Sequence, residues 1–229
     1  VRLLLFDVDG TLVTARGAGR RALRAAFLEV YGTAGDIEQY DLRGKTDPHI
    51  VHDVLTAAGL DPGEIKERLD DFFEAYLRGL ARELAGGARV VVLPGVERLV
   101  KRLAATEGAV LGLLTGNIEE GARLKLGPTG LWPYFVTGAF GSDHADRRHL
   151  PSLAARRAHA LTGYPFVPRD VVVIGDTPWD IDCARHFGAR AVAVGTGMYG
   201  REELLGHAPD LFFDDFADVD RATAALLSP

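Results

Sequence analysis

A single cysteine, Cys183, among 229 residues leaves no internal disulfide framework and no multi-cysteine metal site. A reducing cytoplasm is the compartment this suits. Long apolar runs are missing too, so no stretch reads as a membrane span. The opening run Val1–Phe6 is too short for the apolar core of a secretory leader and leads straight into Asp7. A surplus of positive charge is missing as well. The formal net charge is −6, with acidic and basic residues mixed along the chain, which argues against a nucleic-acid partner. An anionic ligand stays possible, because a bound cation reverses the sign of a local site. Repeats, low-complexity tracts and Ser/Pro-rich linkers are absent, and nothing specifies an oligomeric state.

What is present is the balance of a soluble globular chain, 47% hydrophobic and 25% charged, so the order of apolar segments carries the fold. Leu3–Phe6, Val110–Leu114, Phe135–Val136, Val171–Ile174 and Ala191–Val194 read as buried strands. Their near-continuous hydrophobicity suits a parallel sheet covered on both faces. Amphipathic stretches lie between them. Val96, Leu99, Val100 and Leu103 mark one helical face; Leu150, Leu153, Ala154, Ala158 and Leu161 mark another, with Arg157 the polar exception. The alternation predicts a doubly wound, Rossmann-like α/β fold with its site beyond the carboxyl ends of the strands.

From about Thr14 to Val92 the alternation lapses, with little strand signal except Arg89–Leu93 and three helical patterns instead. One carries Leu23, Ala26, Phe27, Val30 and Tyr31. The next begins at Asp47-Pro48, read as a cap followed by first-turn proline, and a third runs from Ile65 to Leu84. The expected organisation is a discontinuous core, 1–13 and 93–229, interrupted by a helical cap, 14–92.

Three strand ends carry polar residues. Asp7-Val8-Asp9-Gly10-Thr11 follows the first strand. Residues two apart in extended chain point the same way, so Asp7 and Asp9 can face one pocket. Paired carboxylates resist shared ionisation unless a cation intervenes, and Mg²⁺ commonly binds through one or two carboxylates plus phosphate oxygens. A solvated turn is the alternative. Thr115-Gly116-Asn117 ends another strand and offers a hydroxyl, an amide and backbone donors to a phosphate oxygen, or else caps a helix. Asp176 ends a third. Behind it Thr177-Pro178 reads as a helix cap and first position, with Asp180 as the reciprocal cap.

These motifs resemble those of the haloacid dehalogenase-like hydrolases, in particular phosphatases with a helical cap such as phosphoglycolate phosphatase. The resemblance implies a magnesium-dependent phosphatase of a small phosphorylated metabolite. Asp7 would be the nucleophile and Asp9 the general acid and base. Mg²⁺ would be held by the Asp7 carboxylate, the Asp9 backbone carbonyl, Asp176 and Asp180. Thr115, Gly116 and Asn117, with Thr11, would hold the phosphoryl group. The family's third motif supplies a lysine, but no lysine follows Lys125; Arg147 is the expected substitute and Arg148 the alternative. Possession of Asp9 separates the chain from the dehalogenases and phosphonate hydrolases of the family. A phosphosugar mutase uses the same aspartates, and a non-catalytic binding protein could retain the fold.

Leu42–Asp47 looks like the cap's specificity loop, with Lys45 facing an anionic leaving group and Arg43 solvated. Arg16, Arg20, Arg21 and Arg24 form a basic cluster read mainly as solvated helix flank. His49 and His52 read as surface or packing residues. His144, Asp143 and Asp146 are a weaker metal candidate. Cys183 reads as a small core residue, and Trp132–Phe135 as packing ahead of a strand.

Overall fold

The computed structural model describes residues 1–86 and 89–228. The chain begins with strand β1 (Arg2–Phe6) and the short β2 (Val13–Thr14), then four helices: α1 (Ala18–Tyr31), α2 (Asp47–Ala57), α3 (Pro62–Glu67) and α4 (Leu69–Ala85). Next come β3 (Val91–Val92), α5 (Val96–Ala104), β4 (Ala109–Thr115), α6 (Glu119–Leu126), β5 (Thr137–Phe140) and α7 (Leu150–Thr162). The remainder is β6 (Val171–Gly175), α8 (Pro178–Phe187), β7 (Arg190–Val194), α9 (Arg201–Gly206), β8 (Leu211–Phe213) and α10 (Val219–Leu227).

Six strands form one parallel sheet in the order β5-β4-β1-β6-β7-β8. Side chains alternate across it, as strand geometry requires. Leu4, Phe6, Leu113, Val172 and Ile174 pack on one face with Val96, Leu99 and Leu103 of α5 and Leu226 of α10. Leu3, Leu5, Leu114, Val171 and Val173 pack on the other with Leu150 and Ala154 of α7 and Ile181 of α8. Both faces are therefore covered, and the apolar strands need no polar side. The fold is the α/β class expected.

Helices α1–α4 form the helical insertion and have their own core, in which Phe27, Phe72, Tyr76, Leu55 and Leu80 are almost wholly buried. The stretch read as one helix from Ile65 to Leu84 is two, parted at Arg68, the C-cap of α3 and N-cap of α4. The cap of α2 is Thr46, whose hydroxyl accepts from His49 N; Asp47 stands one place inside, which frees its carboxylate for another use. Where the chain leaves the sheet and where it returns, β2 and β3 pair antiparallel, Val13 opposite Val92 and Thr14 opposite Val91.

Phe135–Val136 is not a strand. Trp132–Tyr134 closes a 3₁₀ turn, Pro133 fixes its backbone, and pairing with β4 starts at Thr137. Leu161, expected on the buried face of α7, is exposed. No helix among the described residues is long and apolar enough to cross a membrane.

Candidate active site

The position of β1 between β4 and β6 decides where the polar strand ends meet. Phe6 lies opposite Leu113 on one side and Ile174 on the other, so Asp7, Thr115 and Asp176 emerge on one rim. Asp7 N still donates to Ile174 O at 2.9 Å, holding the nucleophile candidate at the end of the ladder. The chain then turns at Gly10, whose φ of 84° favours glycine; a Cβ there would also stand 2.3 Å from Asp176 Oδ2.

Asp7, Asp176 and Asp180 are all buried and offer carboxylate oxygens within 4.8 Å of one another. Asp180 performs two tasks. Its Oδ2 accepts from Thr177 N (3.0 Å) and Oγ1 (2.7 Å), closing the capping box of α8, while Oδ1 accepts from Arg147 at 2.5 Å. Arg147 also donates to Asp7 Oδ1 (3.0 Å), Leu114 O (3.2 Å) and, through its other nitrogen, Gly44 O of the cap (3.0 Å). Its Nε is buried without a protein partner among the described residues. Arg148 is exposed and spends its guanidinium on Asp146. Of the two arginines, Arg147 is the one in the site.

Charge in this pocket is out of balance. Burial raises Asp7 to about 7; Arg147 pulls against that rise, and Asp180 and Asp9 add to it. Asp176 lies well above the ordinary carboxylate range, through burial first and then the charges of Asp7 and Asp180. Burial opposes the charge of Arg147, but Asp180 and Asp7 outweigh it and its pKa rises. Among the described residues, no basic side chain pairs directly with Asp176, which receives only the Thr11 hydroxyl at 3.0 Å. Three carboxylates facing one guanidinium make an all-oxygen, under-compensated donor set, which fits a hard divalent cation such as Mg²⁺.

Thr11 was expected on the phosphoryl group; it is fully buried and its hydroxyl instead positions Asp176. Asn117 Nδ2 donates to Asp9 Oδ2 (2.9 Å) and Thr115 Oγ1 (2.7 Å). Two residues here escaped the sequence reading. Lys125, on the buried face of α6, places Nζ 2.6 Å from Asp9 Oδ2 and 2.7 Å from Asn117 Oδ1. Asp47 reaches across from the cap: its N–H donates to Gly116 O (2.7 Å), and its Oδ2 accepts from Ile118 N (2.9 Å). Burial raises Asp47 to about 6, against the pull of Lys125. A lysine between the buried Ala122 and Leu126 breaks an apolar stripe, and that was the available signal.

Between cap and core lies a cavity of about 360 Å³, open to solvent on one side, that Asp7, Asp9, Thr115, Gly116, Asn117, Lys125, Arg147 and Asp176 line from the core. Lys45 lines it from the cap, with Nζ 2.7 Å from the Tyr40 hydroxyl and above the Tyr40 ring. Arg43 pairs with Asp41 and lies 4.3 Å over the Tyr199 ring, tying the cap loop to the core. Of the basic cluster, Arg20 holds the backbone carbonyls of Ile37, Glu38 and Tyr40, Arg21 pairs with Glu83, and Arg24 with Glu38. Arg16 lines the cavity. His49 and His52 flank Asp53 on the cap, away from the three-carboxylate group. Asp143 pairs with Arg157 and Asp146 with Arg148, so neither joins His144 in a metal group among the described residues. Cys183 is buried in α8 and donates to Asp180 O.

A family model described as haloacid dehalogenase-like hydrolase matches residues 1–188. A phosphoglycolate phosphatase of Synechococcus elongatus is 27% identical, with 99% of each chain covered. The tyrosine-protein kinase PtkA of Mycobacterium tuberculosis is also 27% identical, over 98% of this chain and 72% of its own. Among solved structures, CbbY of Rhodobacter sphaeroides in complex with phosphate superposes with a TM-score of 0.72 at 23% identity over 96% of each chain, a likeness of fold.

Proposed function

The chain belongs to the haloacid dehalogenase-like hydrolases, and from that premise we propose that it is a magnesium-dependent phosphatase of a small phosphorylated metabolite, acting through an aspartyl-phosphate on Asp7. The observation that carries this reading is the buried group of Asp7, Asp176 and Asp180 around a single guanidinium, with Asp7, Asp176 and Arg147 lining the cavity between cap and core. Relatives bearing the name phosphoglycolate phosphatase support phosphate-ester chemistry.

In this reading Mg²⁺ would be held by Asp7, Asp176, Asp180 and the Asp9 backbone carbonyl. When bound, it supplies positive charge against the phosphoryl oxygens and lets the carboxylates ionise together. Asp7 attacks phosphorus, and Asp9 gives a proton to the departing oxygen. Asp9 then takes a proton from the water that cleaves the acyl phosphate. Thr115, Asn117 and the Gly116 backbone, with Arg147, hold the non-bridging oxygens as charge redistributes. Thr11 serves by fixing Asp176, and Lys45 meets an anionic group on the leaving side.

Phosphate release from 4-nitrophenyl phosphate tests the reading. Activity should require Mg²⁺, cease on chelation and be abolished by Asp7→Asn. Full activity in that variant would overturn the proposed nucleophile. Isomerisation of a sugar phosphate without release of phosphate would assign the site to a mutase instead.

A further inference from the structure

Lys125 is a buried ammonium that the phosphatase chemistry above does not use. It arises from α6, on the face that also buries Ala122 and Leu126, and projects into the active-site cavity. Nζ lies 2.6 Å from Asp9 Oδ2 and 2.7 Å from Asn117 Oδ1, while Asn117 Nδ2 lies 2.9 Å from the same Asp9 oxygen. The three side chains close a ring of hydrogen bonds, fastened to the β4 end through Thr115 Oγ1. The lysine side chain is 6% exposed and the aspartate 42%, so the anchor is internal and the carboxylate fronts the cavity.

Burial of an ammonium is a poor device for stability, since its desolvation cost rivals what an ion pair returns. The geometry has a different consequence. Oδ2 of Asp9 is occupied by two donors, whereas no hydrogen bond engages Oδ1 among the described residues. We infer that Lys125 is a positioning residue that, with Asn117, fixes the Asp9 carboxylate through Oδ2 and leaves Oδ1 as the oxygen that carries the proton to the leaving group. This rests on the reading of Asp9 as general acid. As the Asp7 carboxylate bonds to phosphorus, the bond from phosphorus to the leaving oxygen breaks. That oxygen takes the proton from Asp9 Oδ1, giving a free alcohol and an Asp9 carboxylate. The new negative charge forms beside the ammonium, which is already in place and needs no reorganisation.

A leaving group that departs readily as an anion needs no such acid; an alkoxide does. The test compares kcat/KM for benzyl phosphate with kcat/KM for 4-nitrophenyl phosphate, since this constant reports steps up to loss of the leaving group. The ratio is measured in the parent protein, Asp9→Asn, Lys125→Met, Lys125→Arg and the Asp9→Asn/Lys125→Met pair. Being a ratio within one preparation, it does not depend on how much of a variant is folded. Asp9→Asn should lower it by about 10²- to 10⁴-fold, the usual worth of general acid catalysis. Lys125→Met should lower it about tenfold or more, Lys125→Arg should recover part of that, and the pair should fall no further than Asp9→Asn alone. A normal ratio in Lys125→Met beside a depressed one in Asp9→Asn overturns the inference and spares the acid. A normal ratio in Asp9→Asn removes the acid, and the inference with it.

Discussion

Arg147 shows what one side chain does that its nearest substitute cannot. One terminal nitrogen of its fork donates to both Asp7 and Asp180 on the core while the other donates to Gly44 O on the cap. A lysine carries one compact donor group on a flexible stem and does not reproduce a planar fork. Arg147→Lys is therefore expected to lower kcat about tenfold or more with a smaller change in stability. Arg147→Met leaves two buried carboxylates without their partner and should cost about 3–5 kcal/mol in urea unfolding without magnesium. If Arg147→Lys matched the parent in steady-state kinetics, positive charge alone would explain the residue. Asp7 and Asp176 were conspicuous in the sequence because each directly follows an apolar run, whereas Asp180 read as the reciprocal cap of a helix and joined them only through the family resemblance. Lys125 and Asp47 did not stand out. Lys125 lies in the last turn of a short helix, where a basic residue is ordinary, and Asp47 imitates a capping residue; only the folded chain brings them to Asp9 and to the neighbours of Asn117. Thr11 was read as facing phosphate because sequence gives its neighbourhood but not the direction of its hydroxyl.

The element that joins cap to core is the loop into α2. Asp47 holds both neighbours of Asn117, Gly116 through its carbonyl and Ile118 through its amide. Asp47 is raised to about 6 from an ordinary value of 3.8, so the folded protein keeps this proton longer than the unfolded chain does. Its contribution to stability consequently declines as pH rises from about 4 through about 6, and the cost is complete above that. Asp47→Asn keeps an acceptor for Ile118 without the charge. Relative to the parent, the variant should gain on the order of 1–3 kcal/mol between about pH 4 and about pH 8 in denaturant titrations. A pH-independent difference would mean that this carboxylate is not held as described. Gly116 lies under the same loop, where a Cβ would stand 2.0 Å from Lys45 O. Gly116→Ala should push the loop away, raising KM and lowering kcat together, with accelerated protease cleavage near Lys45 as the structural readout. At this scale the long apolar runs were read correctly and the short ones were not. The three residues of β8 are too few for periodicity to register, and at β5 the aromatic run Trp132–Phe135 masks a strand that starts later.

For the whole molecule, the sheet order makes a site out of residues more than a hundred positions apart. The alternation of apolar and amphipathic segments predicted the α/β class, but not that β1 would lie between β4 and β6; that follows from pairing, which no local pattern encodes. The assembled group has a global consequence. Asp7 and Asp176 both hold protons to higher pH in the folded state than in the unfolded chain, so without a cation their burial costs stability as pH rises. A divalent ion that binds the ionised set offsets this cost. The rise in Tm caused by Mg²⁺ should thus grow from about pH 5.5 to about pH 8, reaching several degrees at saturation, and Asp176→Asn should remove most of it. A shift of equal size across that range would place the ion elsewhere.

The small ribbon of β2 and β3 sets the two ends of the helical insertion side by side, Thr14 facing Val91. The chain thus leaves the core and re-enters it at adjacent points, whatever further contacts the cap makes with the core. Segments whose ends meet this way tolerate exchange and resizing, because the host's chain path is closed whatever lies inside. The insertion is in this sense a cassette: its length and content are free to change without moving the strand tips that hold Asp7 and Asp176.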